Sequence, residues 1–434
     1  MDIRQNPARE RIERVREALE RADAHALLVP SADPHLSEYL PERWQGRQWL
    51  SGFSGSVGTL VVSRHKAALF ADSRYWDQAE AELTGSGIEL VKIPTGGSAH
   101  HIGWLAAEVP RGGHVLVDGQ VLGLAAAQQL RGALDAAGVT LRTDVDLLAE
   151  VWPERPALPA AAVYPHLPPH ASEPRTLRLE RVREAMVRHG ATHHLVSTLD
   201  DIAWITNLRG ADVEYNPVFL AHLLLDSTRA TLFVGAGKVA PALAAQLQAD
   251  GVALADYTQA GAAVAALPSG STVLLDPRRV TLGLRERVPA GVRVVEALNP
   301  STLFKSRKNG VEAGFVREAM VEDGAAMCAF YAWFESALGR ERISELTVDE
   351  RLSAERARRK DFVGLSFNTI AGFNANGALP HYRATPQSHA WIEGDGLLLI
   401  DSGGQYLGGT TDITRVWPVG TPSAAQRRDF TRVL

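Results

Sequence analysis

Two stretches of the chain repeat one pattern of apolar and polar positions, in which an amphipathic helix leads into a short apolar strand. The first copy begins at Arg11 and continues into residues 27–29, and the second begins at Arg178 and continues into residues 194–196. In each helix, apolar side chains recur at positions i, i+3 and i+7 and therefore share one face. They are Ile12, Val15 and Leu19 in the first copy and Leu179, Val182 and Met186 in the second. The repeat predicts two related α/β domains.

A later strand and an intervening linker support the same division. Residues 68–72 and 230–234 each form an apolar run after a glycine-bearing loop, which is typical of a strand. Residues 152–159 are rich in proline, as stretches that link domains commonly are. We therefore expect a first α/β domain over residues 1–153 and its duplicate over residues 160–300.

The remaining part of the chain, residues 304–434, starts with two helical patterns. In the first, residues 311–338, the large apolar side chains mostly share one face, which predicts a stripe that packs into a core. The single cysteine, Cys328, falls in this apolar stretch, so we expect it to be buried. The second pattern, residues 348–359, is heavily charged and is expected to face solvent.

A β-hairpin is predicted after these helices, and it carries Asp401 and Asp412. Residues 397–400 form an apolar strand, glycines follow at the reversal, and residues 413–419 resume an extended pattern. If the tip falls at residues 406–407, the two aspartates lie directly opposite each other. If the tip is centred on Gly408, they lie diagonally. In either register they are on neighbouring strands, roughly 5 to 8 Å apart.

Two carboxylates at that separation repel each other unless one is protonated or a cation lies between them. Such oxygen ligands suit Mn²⁺, Co²⁺ or Zn²⁺, and a pair of bridged ions can generate a nucleophilic hydroxide for hydrolysis. The same residues also fit an ordinary turn, with Asp412 at a solvated strand end. The spacing alone leaves both interpretations open.

Short motifs along essentially the whole chain occur in the order known from one enzyme family. They lie at residues 52–56, 72–75, 207–213 with 216–219, 361–383, and in the hairpin of Asp401 and Asp412. These motifs resemble the aminopeptidase P (Xaa-Pro aminopeptidase) branch of the creatinase-like, pita-bread metallopeptidases. The resemblance implies an α/β fold of two tandem creatinase-N-terminal-like domains. The first half of an α+β pita-bread catalytic domain would follow them over residues 304–434.

The resemblance also implies roles for individual residues. Asp401 would bind one of two divalent metal ions, most often Mn²⁺ with Co²⁺ or Zn²⁺ as alternatives, and Asp412 would bridge both. His381 matches the histidine that hydrogen-bonds substrate and stabilises charge on the tetrahedral intermediate. Arg74 matches an arginine that contacts the peptide, although an Asp-x-Arg-Tyr sequence by itself suggests a structural salt bridge.

The implied activity is metal-dependent removal of the N-terminal residue from peptides that have proline in the second position. In this family, a histidine and two glutamates from a later part of the catalytic domain complete the metal site. The sequence ends at Leu434, in the first helix after the hairpin, so we expect the printed chain to lack these ligands and to be inactive. The alternatives are a prolidase-type dipeptidase, the more remote creatinase-like C–N hydrolysis, and a non-catalytic peptide- or protein-binding module.

Composition narrows the choice of partners and compartment. The net charge is −5 with both signs interspersed, which gives no reason to expect nucleic acid or an acidic membrane as partner. The polar start lacks an apolar signal core, and no apolar run approaches the roughly 20 residues of a membrane helix. One cysteine permits no disulfide within the chain. We expect a cytoplasmic protein, and the resemblance implies a homodimer.

Overall fold

The structure is a computed structural model that describes residues 6–95 and 99–434. The chain folds as two compact units. The first unit contains the chain up to Leu167 together with Glu173–Arg307. The second unit contains Pro168–Ser172 together with Lys308–Leu434.

The first half of the first unit is a six-stranded sheet with flanking helices. The strands are β1 (Ala26–Pro30), β2 (Thr59–Ser63), β3 (Ala67–Asp72), β4 (Glu89–Ile93), β5 (His114–Leu116) and β6 (Thr140–Arg142). The helices are α1 (Pro7–Arg21), α2 (Gly46–Ser51), α3 (Trp76–Glu82), α4 (His100–Glu108), α5 (Leu124–Ala137) and α6 (Leu147–Val151). The strands lie in the order β4-β3-β2-β1-β5-β6.

The second half of the first unit repeats this plan. Its strands are β7 (Tyr164–Pro165), β8 (His193–Val196), β9 (Leu208–Arg209), β10 (Ala221–Leu225), β11 (Ala230–Val234), β12 (Val252–Asp256), β13 (Thr272–Leu275) and β14 (Arg293–Glu296). Its helices are α7 (Arg175–Arg188), α8 (Leu199–Thr206), α9 (Pro241–Ala249), α10 (Ala260–Ala265), α11 (Leu282–Glu286) and α12 (Pro300–Ser306). The order β12-β11-β10-β8-β13-β14 matches the first sheet position by position. The predicted duplication is confirmed.

The repeated helix forms for the reason that its pattern predicts. In α1 the side chains of Ile12, Val15 and Leu19 are buried, and the side chain of Asn6 caps the first turn. In α7 the corresponding Leu179, Val182 and Met186 are buried. Both helices therefore stabilise their sheet by removing one apolar face from water.

The two halves contact each other through equivalent residues. The Leu124 amide donates to the Val280 carbonyl at 2.9 Å, and the Leu282 amide donates to the Leu122 carbonyl at 2.8 Å. In one bond the first copy supplies the amide donor, and in the other bond the second copy supplies it. Such an exchange of roles is what a two-fold axis produces. The copies thus pack as an internal pseudo-dimer, and one hydrophobic cluster includes buried residues of both.

The second unit combines helices with two small sheets. Its helices are α13 (Gly310–Ala337), α14 (Glu345–Ala357) and α15 (Ala424–Val433). Its strands are β15 (Phe362–Leu365), β16 (Ile370–Phe373), β17 (Gly396–Ser402), β18 (Gly404–Tyr406), β19 (Gly409–Thr410) and β20 (Ile413–Val419). One sheet has the order β15-β18-β19, and the other has the order β16-β17-β20. α13 begins with a capping box between Asn309 and Glu312.

Two expectations for this unit are wrong. Helix α14 does not simply face solvent, because Glu345, Val348, Leu352 and Arg356 are buried along one side of it. Two of these four inward positions are charged, so the apolar pattern that would reveal a buried face is interrupted. Cys328 is exposed, because it lies on the outer side of α13, away from the buried Met327 and Phe330.

Within the described ranges, none of the helices combines the length and the apolar character that crossing a bilayer requires.

Candidate functional site

The predicted hairpin is present, and its register decides how Asp401 and Asp412 are arranged. β17 and β20 pair Asp401 with Thr414, and the same register continues to a pair of Tyr406 with Gly409. The tip is therefore the two residues 407–408, between the two positions that the sequence left open. Asp412 falls opposite residue 403, diagonal to Asp401. Since directly opposite residues and every second residue along a strand share a face, both carboxylates project from one side of the sheet.

The two carboxyl groups are in contact. Partial removal of the Asp412 carboxyl from water raises its pKa, and the charge of Asp401, together with a hydrogen bond between the two carboxyls, raises it further. The Thr414 hydroxyl donates to Oδ1 of Asp401 at 2.8 Å and restricts its rotation. Two neighbouring carboxylates repel each other when both are ionised, and a cation between them removes this repulsion. The pair therefore binds a cation more strongly than an isolated carboxylate does.

The donor chemistry of this pair fits a divalent ion, because hard and borderline cations prefer carboxylate oxygen. Asp401 is half-buried and Asp412 is exposed, so the pair is accessible from solvent. Among the residues that the structure describes, no group of three or more His, Cys, Asp or Glu side chains could hold a metal ion. The hairpin therefore offers two carboxylates to such an ion.

His381 lies in the same unit, on the connection between β16 and β17. Ile370 at the start of β16 pairs with Asp401, whereas Phe373 at its end pairs with Leu398. The connection that carries His381 thus begins after Phe373, three residues or about 10 Å along β16 from the position opposite Asp401. His381 is exposed, and its backbone has a φ of 62°, which is uncommon for a residue with a side chain.

Arg74 belongs to the first unit, where its side chain forms an ion pair directly after β3. Its Nε and Nη2 atoms donate to the two carboxylate oxygens of Asp72 at 2.9 and 2.8 Å. This hydrogen bonding raises the pKa of the Arg74 guanidinium. The salt bridge suggested by the Asp-x-Arg-Tyr sequence is therefore present. About two fifths of the Arg74 side chain is exposed (41%), so a part of it can still be reached by a ligand.

Comparison with known families covers nearly the whole chain. Residues 11–150 and 154–312 each match a family model described as Creatinase/Prolidase N-terminal domain. Residues 314–434 match the model described as Metallopeptidase family M24. The three matches follow one another in the order that the motifs imply.

Individual relatives decide the family. Xaa-Pro aminopeptidase 2 of Sus scrofa is 34% identical over 97% of this chain and 63% of its own length. The protein named Probable Xaa-Pro aminopeptidase P of Botryotinia fuckeliana is 34% identical over 98% of this chain and 67% of its own length. The chain belongs to the Xaa-Pro aminopeptidase family. It spans about two thirds of the length of these relatives.

A solved structure of this family confirms the predicted fold. X-prolyl aminopeptidase from Caenorhabditis elegans, described as a cytosolic enzyme with a di-nuclear active site, has a TM-score of 0.89 to this chain at 27% identity. The match covers 96% of this chain and 71% of that one. The tandem creatinase-type domains and the M24 domain expected from the sequence are thus shown.

A close approach of backbone segments shapes the hairpin of this Xaa-Pro aminopeptidase-family chain beside Asp401. A Cβ atom on Gly403 would overlap the carbonyl oxygen of Thr411 and the hydroxyl of Ser366. That hydroxyl donates to the Thr411 carbonyl at 2.9 Å, and the Ser366 amide donates to the Gly403 carbonyl at 3.1 Å. Only glycine allows this arrangement, which holds together the two strand segments that carry the aspartates.

We expect the substitution Gly403→Ala to destabilise the hairpin by about 3 kcal/mol, the upper part of the range for overpacking. The new methyl group would push the Thr411 backbone away and separate Asp401 from Asp412. Hydrogen exchange of amides in β17 and β20 measures the loss. Gly364→Ala, on the neighbouring strand β15, is the matched control, because nothing lies within 4 Å of its Cβ position. Equal effects of the two substitutions would contradict this explanation.

A buried ion pair supports the hairpin from its other face. Arg356 on α14 and Asp323 on α13 have no exposed side-chain surface, and Nε of Arg356 donates to Oδ1 of Asp323 at 2.6 Å. Nη2 of Arg356 also donates to the Ser402 hydroxyl at 3.0 Å, and the Tyr406 hydroxyl donates to Asp323 at 3.0 Å. Burial and the neighbouring Asp323 raise the pKa of Tyr406, so its hydroxyl stays a donor.

These supporting residues were missed by the sequence reasoning. Arg356 lies in the charged pattern of residues 348–359, which predicts a solvent-facing helix, and Glu345 lies just before that pattern, at the start of α14. The available signal was their spacing, since Glu345, Val348, Leu352 and Arg356 recur at i, i+3, i+7 and i+11 and so share one face.

Proposed function

We propose that this protein is a metal-dependent Xaa-Pro aminopeptidase, which hydrolyses the bond between an N-terminal residue and a proline in the second position. The observation that carries the proposal is the contact between the Asp401 and Asp412 carboxyls on one face of the hairpin, in a chain of this family. The relatives that are similar to nearly the whole chain carry the name of this activity.

Asp401 and Asp412 would hold two divalent ions, with Asp412 between them, as the family resemblance implies. The di-nuclear site of the Caenorhabditis elegans enzyme supports the number of ions, and we propose Mn²⁺ as their identity. When bound, such ions supply an activated water and polarise the scissile carbonyl. The hydrogen bond from Thr414 keeps Asp401 turned toward Asp412 for this purpose.

The remaining tasks fall to side chains outside the hairpin. His381 would donate a hydrogen bond to the oxygen that becomes negatively charged as the carbonyl is attacked. Its exposure leaves the imidazole accessible to a substrate. Arg74 would contact the peptide with the part of its side chain that Asp72 does not cover. We also propose three domains over residues 1–153, 160–300 and 304–434, a cytoplasmic location, and a homodimer.

The test is hydrolysis of short peptides by the protein at its full encoded length, with and without Mn²⁺. A tripeptide with proline in the second position should be cleaved at least about 100-fold faster than one with alanine there, because selection must act on the proline ring. Cleavage of Xaa-Pro dipeptides alone would identify a prolidase-type dipeptidase instead. Binding of the Xaa-Pro tripeptide without cleavage in the presence of Mn²⁺ would identify a peptide-binding module.

We expect His381→Ala, which leaves no side-chain donor, to lower kcat by roughly 100-fold with little change in KM, because a donor to a developing oxyanion acts chiefly in the transition state. The measurement uses the same Xaa-Pro tripeptide and compares the variant with His389→Ala, a change at a nearby histidine to which the mechanism gives no role. A His381 variant with unchanged kcat would remove this residue from the mechanism.

A further inference from the structure

The side chain of Glu345 is completely buried at the start of α14. A buried carboxylate is costly unless hydrogen bonds or an opposite charge compensate it. In the part of the chain that the structure describes, no Lys, Arg or His side chain forms an ion pair with it. The compensation comes from neutral donors, and their positions in the sequence are informative.

All of these donors lie between residues 373 and 390, in and next to the connection from β16 to β17. Oε1 of Glu345 accepts from the Phe373 amide at 2.7 Å and from the Asn376 side chain at 3.0 Å. Oε2 accepts from the Ala390 amide at 2.7 Å and from the Tyr382 hydroxyl at 2.8 Å. The beginning, the middle and the end of one long connection are thus attached to a single carboxylate.

His381 lies between two of these attachment points. The Asn376 side chain also donates to the Tyr382 hydroxyl at 3.0 Å, and the Tyr382 amide donates to the Leu379 carbonyl at 3.1 Å. The left-handed backbone of His381 requires such support, because a residue with a side chain holds this conformation only when its surroundings fix it. Burial and the hydrogen bond to Glu345 raise the pKa of Tyr382, which keeps its hydroxyl protonated as a donor.

We propose that Glu345 is a positioning residue for His381, acting through Asn376 and Tyr382. The inference rests on the proposed peptidase function, in which His381 contacts the substrate. Stability alone is a poor reason for a buried charge, since well-packed apolar residues serve stability at least as well. A carboxylate with four lone-pair directions can instead hold several donors of an irregular connection at once. Glu345 therefore orders the irregular connection that carries His381.

The test compares two variants that disturb this network with two controls that do not. Tyr382→Phe keeps the ring but removes the hydroxyl, and with it the hydrogen bonds to Glu345 and from Asn376. Glu345→Gln keeps the size of the side chain but replaces one acceptor oxygen with an amide donor, which would face the donors of the connection. Leu352→Ala is the first control, because it removes core packing from the same helix. Tyr331→Phe is the second, because the Tyr331 hydroxyl is buried without a hydrogen-bond partner.

The readouts are the imidazole resonances of His381 in ¹³C-histidine-labelled protein, assigned with His381→Gln, and hydrogen exchange over residues 374–390. Tyr382→Phe should speed exchange around His381 by roughly 10-fold, and Glu345→Gln should speed it over the whole connection by roughly 100-fold. Both should shift the His381 resonance. Leu352→Ala should lower overall stability with the His381 resonance unchanged, and Tyr331→Phe should change neither.

Unchanged His381 resonances in Tyr382→Phe and Glu345→Gln would overturn the proposal. The same holds if Leu352→Ala shifts them as much as Tyr382→Phe does, since general destabilisation would then be the cause. If Glu345→Gln does not fold, Tyr382→Phe decides by itself. None of these measurements needs turnover, so failure of the positioning role is distinguishable from failure of the peptidase assignment.

Discussion

The substitution Asp412→Asn should weaken Mn²⁺ binding by at least about 100-fold and abolish metal-dependent hydrolysis. Removing a partner of a metal ligand commonly lowers affinity by about 10- to 100-fold, and loss of a ligand itself should exceed that effect. Asp401→Asn should act similarly, because either change leaves a single carboxylate in the hairpin. Calorimetric titration with Mn²⁺ measures the affinity directly.

Asp412→Asn should weaken metal binding, but it should slightly increase the folding stability of the metal-free protein. Partial removal from water and the charge of Asp401 raise the pKa of Asp412, so its ionised form is less stable in the folded protein than in the unfolded chain. Asparagine removes this unfavourable charge, and the unfolding temperature without metal should rise slightly. Asp429→Asn, an equal charge change on the exposed surface of α15, should alter neither property. A metal-free protein that loses stability through Asp412→Asn would show that the aspartate has a structural role instead.

The substitution Arg356→Met should destabilise the second unit by about 3–5 kcal/mol, because it leaves the buried Asp323 charge without its partner. The Ser402 hydroxyl would lose its donor at the same time, directly after Asp401 in β17. Hydrogen exchange of β17 and β20 amides should therefore accelerate by more than 100-fold. Mn²⁺ affinity should fall as well, since the hairpin would no longer be held in one arrangement.

Two further variants separate this explanation from a simple loss of positive charge. Arg358→Met, two residues further along the chain, removes an exposed arginine from an ion pair with Glu355 and should alter stability by less than about 0.5 kcal/mol. The double variant Asp323→Leu with Arg356→Met should recover part of the loss, because no charge then remains buried at this position. Recovery would be incomplete, since the Tyr406 hydroxyl would still lack its acceptor. An effect of Arg358→Met as large as that of Arg356→Met would contradict the proposed role of burial.

The repeated α/β plan and the position of the acidic hairpin follow from the sequence alone. Apolar side chains at helical spacing in α1 and α7 show which faces are buried, and the apolar run that forms β17 shows where a strand lies. These signals are local, because each depends on residues within one turn of helix or a few positions along a strand. For the same reason the sequence left the tip of the hairpin open, since the reversal could fall at residues 406–407 or be centred on Gly408.

Only the tertiary structure decided which charged residues are inside and which hairpin register brings Asp401 and Asp412 together. Arg356 and Glu345 resemble exposed helix residues until their partners, Asp323 and the connection between β16 and β17, are brought beside them. The exposure of Cys328 was likewise decided by which side of α13 meets the core. A buried charge is tolerated only when distant parts of the chain supply its hydrogen bonds, and no local pattern contains that information.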